Sequence, residues 1–166
     1  MLKKEKIKLI LITENDAEFI LVLRKDQSLN KYISKTDISV EKQKEWIRDY
    51  KKRENSKLEF YFMITYDKTA YGTVRVYNIG ENEAEWGSWI LSPKRPDGLS
   101  LLSAYLSFEF CFDKLKLKKL NLKVNKENLK AIHLYEKFGF EKYNENEEEY
   151  FYFLSSENFV NRSESL

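Results

Sequence analysis

The spacing of apolar positions changes several times along the chain, and each change marks an element. Residues 7–12 form a short run rich in branched side chains, which predicts a first strand. Residues 14–25 predict a helix, with Thr13 as N-cap and Phe19, Ile20 and Leu23 on one face. Residues 26–36 carry no period and predict a loop. Ser39 can then cap a helix running to Asn55, whose apolar positions are Val40, Trp46, Ile47 and Tyr50. Lys51, Lys52 and Arg53 near its end suit the negative pole of the helix dipole, so no phosphate-binding role is needed to explain them.

From residue 58 to 91 the period becomes two. Residues 58–66 and 70–79 flank Asp67-Lys68-Thr69, which predicts a hairpin. A turn at Gly80-Glu81-Asn82 leads to a further strand over 83–91, completing a meander. Residues 99–114 predict a helix bearing Leu102, Tyr105, Leu106, Phe110 and Phe112. A strand over 118–124 follows. Asn128 caps a helix that runs to Phe138, and Gly139 can take the left-handed conformation that ends it. Ala131, Leu134, Tyr135 and Phe138 share one face of that helix, so Tyr135 points inward or along a cleft. Strands over 140–143 and 150–154 close the pattern, and residues 156–166 read as a polar, frayed tail to a domain spanning 1–155.

This order describes one mixed α/β (α+β) domain. A chain of 166 residues is long enough to bury a core without disulfides or metals. The net charge of +2 gives no electrostatic case for nucleic acid as the main ligand. The alternating run Lys114-Leu115-Lys116-Leu117-Lys118-Lys119 reads as a solvated face. Cys111 is the only cysteine and His133 the only histidine, so neither an intrachain disulfide nor a His/Cys metal site is expected. Cys111 lies in an apolar run and reads as a buried structural thiol. The first apolar run is too short for a signal peptide, and none approaches the roughly 20 residues of a membrane span. The expected location is the reducing cytoplasm, with no membrane association.

Two stretches carry chemistry. In Ser92-Pro93-Lys94-Arg95-Pro96-Asp97-Gly98-Leu99-Ser100, a strand end leads through a Gly turn into a helix. That geometry offers backbone N–H groups and a positive dipole end to an anion, and Arg95 adds a fixed charge. The second is the helix from Asn128 with its inward phenol.

Together with the strand Ala84-Glu85-Trp86-Gly87-Ser88-Trp89-Ile90-Leu91, these stretches resemble the signatures of the GNAT superfamily of N-acetyltransferases. Asn128-Leu129-Lys130-Ala131-Ile132-His133-Leu134-Tyr135-Glu136-Lys137-Phe138-Gly139-Phe140 is similar to the last signature. Arg95-Pro96-Asp97-Gly98-Leu99-Ser100 is similar to the family's Arg/Gln-x-x-Gly-x-Gly/Ala loop. It departs at Pro96, which removes a donor, at Ser100, where Gly or Ala is usual, and at Asp97, which sets a carboxylate beside the proposed phosphate. The strand is similar to the Ala-Glu-Ile-Gly-Tyr-Trp-Ile strand of the amino-sugar and ribosomal-protein branches.

The resemblance implies a mostly antiparallel sheet of about six or seven strands, splayed between the fourth and fifth and flanked by about four helices. It also implies acetyl-coenzyme A as co-substrate, without a metal. Ile90, Leu91, Arg95, Gly98, Leu99, Ser100, Asn128 and Tyr135 would contact it. A bulge near Gly87 would open the strand edge to the pantetheine arm, and a backbone N–H near Ile90 or Leu91 would polarise the thioester. Tyr135 becomes the candidate proton donor to sulfur. Glu85 is the candidate base, with Glu83 and His133 as alternatives. His133 is two residues before Tyr135, about 200° round the helix, which points it to solvent.

Trp86 and Tyr77 are candidate substrate contacts. Tyr32, Trp46 and Trp89 are further aromatics able to stack a sugar or a base, or to serve as core. Glu85 and Trp86, being adjacent on a strand, face the substrate together only if a bulge intervenes. The acceptor implied is a primary amine on a nucleotide-linked amino sugar. A protein N-terminus or another small amine is the alternative, and a non-catalytic coenzyme A-binding module is the competing class. A homodimer is compatible with the resemblance.

Overall fold

The computed structural model describes residues 2–26 and 39–163. The predicted loop over 26–36, and Tyr32 within it, fall outside these residues except for Asp26. Seven strands form one sheet in the order β1-β2-β3-β4-β5-β7-β6. They are β1 (Ile7–Leu11), β2 (Phe60–Tyr66), β3 (Thr69–Tyr77), β4 (Glu83–Leu91), β5 (Lys119–Asn125), β6 (Glu141–Glu145) and β7 (Glu149–Ser155). Only β4 and β5 pair in parallel. Among the described residues the helices are α1 (Ala17–Lys25), α2 (Val40–Asn55), α3 (Leu99–Glu109), α4 (Leu129–Phe138) and α5 (Ser156–Ser163).

Local sequence explains most of the boundaries. Thr13 and Asp16 form a reciprocal capping box ahead of α1, and the Ser39 hydroxyl accepts from the Lys42 N–H at the start of α2. Gly139 ends α4 with φ 101°, the left-handed stop that glycine takes without strain.

The sheet divides the core in two. On one face, Tyr61 and Met63 of β2 pack with Ile12, Ala17, Ile20, Ile47 and Tyr50 under α1 and α2. On the other, Val74, Val76, Ala84, Trp86, Leu120, Leu122 and Val124 meet Leu99, Ala104, Phe108, Tyr135 and Phe138 of α3 and α4.

Two expectations are corrected here. The helix from Leu99 does not run regularly to 114: it gives way to a wider turn over Phe110–Lys114, with the Leu115 N–H reaching back to the Phe110 carbonyl. This turn brings Cys111 into the core, where burial pushes its thiol above the ordinary range. Nor do residues 156–163 fray. They form α5, whose Phe159 is buried against Tyr105, Phe108 and Phe112. Phe159 and the Asn158 amide, which donates to the Gly139 carbonyl at 2.6 Å, hold the helix down, a signal too sparse to register as a period.

Candidate active site

The sheet is forked. Glu83, Ala84 and Glu85 of β4 pair with Lys119, Leu120 and Asn121 of β5, and no further rung joins the two strands, although β4 continues to Leu91 and β5 to Asn125. A bulge accounts for the fork. Arg75 of β3 faces Gly87 while Thr73 faces Ile90, so Ser88 and Trp89 share the place opposite Val74. The extra residue bends β4 away from β5 and increases its twist. Gly87 was expected at the bulge. The left-handed residue is instead Ser88, at φ 49°, one position later. Beyond Glu85 the edge of β4 that faces away from β3 has no strand partner, so backbone groups there point into the gap. Ile90 and Leu91 lie on that open edge.

Strand alternation then assigns side chains to the two faces. Because the bulge comes after Trp86, Glu85 and Trp86 point oppositely. Trp86 is only 2% exposed, its indole N–H donates to the Ser107 hydroxyl at 2.8 Å, and its ring meets Phe108 and Tyr135. The expectation that Trp86 contacts substrate is therefore corrected: it is core beneath α3 and α4. Tyr135 stands beside it, buried, with ring centroids 5.6 Å from Trp86, 6.2 Å from Trp89 and 5.7 Å from Phe140. Burial raises its phenol above the ordinary pKa, which keeps it protonated at neutral pH. Its hydroxyl makes no hydrogen bond to the described residues, and, unlike the ring, it is not fully enclosed.

Glu85 lies on the opposite face, across from Tyr77, and its carboxylate accepts from the Asn78 amide at 2.7 Å. Tyr77 lies across Gly87: a Cβ there would sit 3.4 Å from the Tyr77 hydroxyl. Burial, then the Glu85 charge, pushes the Tyr77 phenol up. Glu83 shares this face but is exposed and accepts from Asn121 at 3.3 Å. His133 is exposed on α4, as its angular position predicts.

Two buried polar side-chain atoms lack a partner among the described residues, the indole N–H of Trp89 and the Oδ1 of Asn121. Both border the fork. Asn121 stands on its last rung, and Trp89 sits at the bulge that opens it. Folded chains leave few such groups unsatisfied, so a donor and an acceptor stranded at one gap are what a ligand-binding cleft leaves behind. These residues fit the pantetheine arm and thioester of acetyl-coenzyme A.

The loop before α3 fits the phosphates. Gly98 takes φ 90° and caps the helix without a side-chain hydrogen bond, and the N–H groups of Ser100 and Leu101 belong to the first turn that a helix leaves without carbonyl partners. Arg95 donates through Nε to the Ser100 hydroxyl at 2.8 Å and through Nη1 to the Ser92 carbonyl at 3.1 Å. Ser100 thus has a local reason to replace Gly or Ala: it holds the guanidinium over the helix start. Asp97 is exposed and does not cap. Leu99 is fully buried and anchors the turn. Asn128 caps α4 by accepting from the Ala131 N–H at 3.3 Å. No group of three or more His, Cys, Asp or Glu side chains placed to hold a metal occurs among the described residues. None of the described helices is long and apolar enough to cross a membrane.

Residues 6–141 match the sequence profile of the acetyltransferase (GNAT) domain. The chain belongs to the GNAT family. GNAT enzymes use acetyl-coenzyme A, and the seven-stranded sheet forked between β4 and β5 is the arrangement that the sequence resemblance implied. The fold is similar to that of apo FdhC, a nucleotide-linked sugar GNAT, with TM-score 0.89 and 38% identity over 99% of this chain and 94% of that one. Acetyltransferase PseH of Campylobacter jejuni is 26% identical over 84% of this chain and 85% of its own. Spermidine N(1)-acetyltransferase of Escherichia coli is 37% identical over 94 residues, which span 55% of this chain and 50% of that enzyme. A solved spermidine N-acetyltransferase of Vibrio cholerae, in complex with coenzyme A and spermine, shares the fold at TM-score 0.83 and 22% identity.

Sequence reasoning missed two members of this site. Asn121 lies in a strand read only for its apolar positions. Arg75 stands on the Glu85 face, opposite Gly87. Its signal was available: a lone charge inside Gly72-Thr73-Val74-Arg75-Val76-Tyr77, on the face alternate to Val74 and Val76.

Proposed function

We propose that this GNAT member transfers the acetyl group of acetyl-coenzyme A directly to a primary amine on a nucleotide-linked amino sugar. The observation that carries the transfer is the fork, with Tyr135 on one face of β4, Glu85 on the other, and two unpartnered buried polar atoms at its rim. When bound, acetyl-coenzyme A supplies an activated acyl carbon and a thiolate leaving group. Glu85 takes the proton that the ammonium must lose before nitrogen can attack, and the Asn121 Oδ1 accepts from an amide N–H of the pantetheine arm. A backbone N–H on the open edge near Ile90 or Leu91 stabilises the developing oxyanion. The Tyr135 phenol gives its proton to sulfur as the C–S bond breaks. Arg95 and the N–H groups at the start of α3 hold the phosphates, with Asn128 on the opposite wall. Tyr77 lines the acceptor side.

The whole-length likeness to FdhC supports the sugar-nucleotide acceptor. A second reading, acetylation of a polyamine, has the 37% identity to the spermidine enzyme in its favour, over about half of each chain. Thiol release from acetyl-coenzyme A, measured against amino-sugar nucleotides, polyamines and N-terminal peptides, separates these readings. Turnover with amino-sugar nucleotides is expected. Coenzyme A binding without turnover on any amine would replace the enzyme with a binding module.

A further inference from the structure

We propose that Arg75 is the specificity residue that reads an anion on the acceptor, a phosphate of the sugar nucleotide, and turns polycationic amines away; this rests on the amino-sugar reading above. Arg75 donates through Nε to Glu59 at 2.8 Å, and Glu59 also accepts from the Nε of Arg53 at 2.9 Å. Glu59 is 5% exposed, so one buried carboxylate serves two guanidiniums, while Glu85 and Glu149 bring negative charge to the Tyr77 side of the cluster. The Arg75 guanidinium carbon lies 4.2 Å from the Tyr77 ring centroid and 5.5 Å from that of Trp46. An ion pair at one edge and aromatic faces beside it fix the planar fork in place before any ligand arrives.

What remains of the fork is unused. Its two terminal nitrogens have no hydrogen-bond partner among the described residues, and the side chain is 24% exposed. A guanidinium tied only through Nε presents its terminal donors in the pattern that suits two oxygens of a phosphate. Its position relative to the chemistry is set by strand register. Arg75 faces Gly87 and Tyr77 faces Glu85, so Arg75 and Glu85 are diagonal neighbours with Cα atoms roughly 7–8 Å apart. Gly87 contributes no side chain between them. An acceptor whose amine meets Glu85 therefore brings an anion a few bonds away within reach of Arg75. A polyamine would instead set its second ammonium against the Arg75 and Arg53 pair.

The test compares wild type, Arg75→Gln and Arg75→Lys at saturating acetyl-coenzyme A, with an amino-sugar nucleotide, the same amino sugar without phosphate, and spermidine. Melting temperature is followed alongside, and Arg75→Lys serves as the folded variant should the loss of the Glu59 pairing unfold Arg75→Gln. Expected for Arg75→Gln is an approximately ten- to hundredfold rise in KM for the nucleotide, with kcat little changed and KM for the unphosphorylated sugar unmoved. Arg75→Lys should fall between, because it keeps the charge and loses the fork. KM for acetyl-coenzyme A should not move. Turnover of the nucleotide by wild type with a KM indifferent to both substitutions, or shifted equally for the unphosphorylated sugar, overturns the role of Arg75 and leaves the amino-sugar reading standing. Wild-type activity on spermidine with none on the nucleotide overturns both.

Discussion

Tyr135→Phe separates a catalytic phenol from a structural one, because stability and rate should move independently. The ring is what the fold uses: it packs edge-on against Trp86 and lies beside Trp89 and Phe140, and phenylalanine keeps all three contacts. The hydroxyl has no partner among the described residues, so its removal breaks no hydrogen bond. Deleting a hydroxyl that makes no hydrogen bond within the fold changes stability by at most about 1 kcal/mol, against the 1–3 kcal/mol lost when a satisfied buried group loses its partner. For a domain of this length that is a melting temperature shifted by no more than roughly 2–4 °C. In contrast, kcat should fall about ten- to a thousandfold, as for loss of a general acid. Tyr152→Phe is the control. Its hydroxyl donates to Glu136 at 2.9 Å, tying β7 to α4, so that variant should lose about 1.5–3 kcal/mol while turning over at near the wild-type rate. Chemical denaturation and thiol release on the three proteins decide the matter. A Tyr135→Phe enzyme that turns over normally, or one destabilised as much as Tyr152→Phe, would refute the assignment.

Three further outcomes follow from the same geometry. Glu85→Gln should lower kcat by about a hundredfold or more while leaving KM for acetyl-coenzyme A unchanged; a rate near that of the wild type would pass the role of base to another group. Gly72→Ala should cost at least about 1–3 kcal/mol and weaken coenzyme A binding, because its Cβ would lie 2.2 Å from the Ile90 carbonyl oxygen and would push β4 at the open edge. Stability should be flat up to about pH 8.5, begin to fall as the thiol of Cys111 ionises in the unfolded chain, and fall more steeply above about pH 10. Burial pushes Tyr152 up to about 12, with its bond to Glu136 adding to the shift, and it raises Tyr50, Tyr77 and Tyr135 as well. The unfolded chain therefore gives up these protons first, and each such tyrosine removes about 1.4 kcal/mol per pH unit between its unfolded and folded values. Urea midpoints between pH 8 and 11.5 test this, and a midpoint that does not fall above pH 10 would contradict it.

Most of the fold could be read from the chain because its signals are local. The cap at Ser39, the glycine stop at Gly139 and the period-two run through β2, β3 and β4 each act within a few residues. The candidate site was half legible. Tyr135 declared itself by helical spacing, and the loop from Arg95 to Ser100 by its Gly turn. Trp86 and Glu85 could not be assigned to faces, because that depended on whether the bulge fell before or after them. Only the pairing of β4 with β3, a non-local fact, places it at Ser88 and Trp89. Arg75 and Asn121 escaped for a related reason. Their importance comes from what lies across the sheet, Glu59 and Tyr77 for one and the β4–β5 fork for the other. The helix α5 was hidden in a polar sequence whose buried anchor, Phe159, acts through tertiary packing.

The central claim is that the fork between β4 and β5 delivers an acetyl group to an amine carried by a sugar nucleotide. Its most direct test is a competition. Equal concentrations of an amino-sugar nucleotide and spermidine are offered with limiting acetyl-coenzyme A, and the acetylated products are counted by mass spectrometry. The account predicts that the acetyl group is found on the sugar nucleotide, at the amine, with stoichiometric release of free coenzyme A. Acetyl found on spermidine, with the sugar nucleotide recovered unchanged, would contradict it.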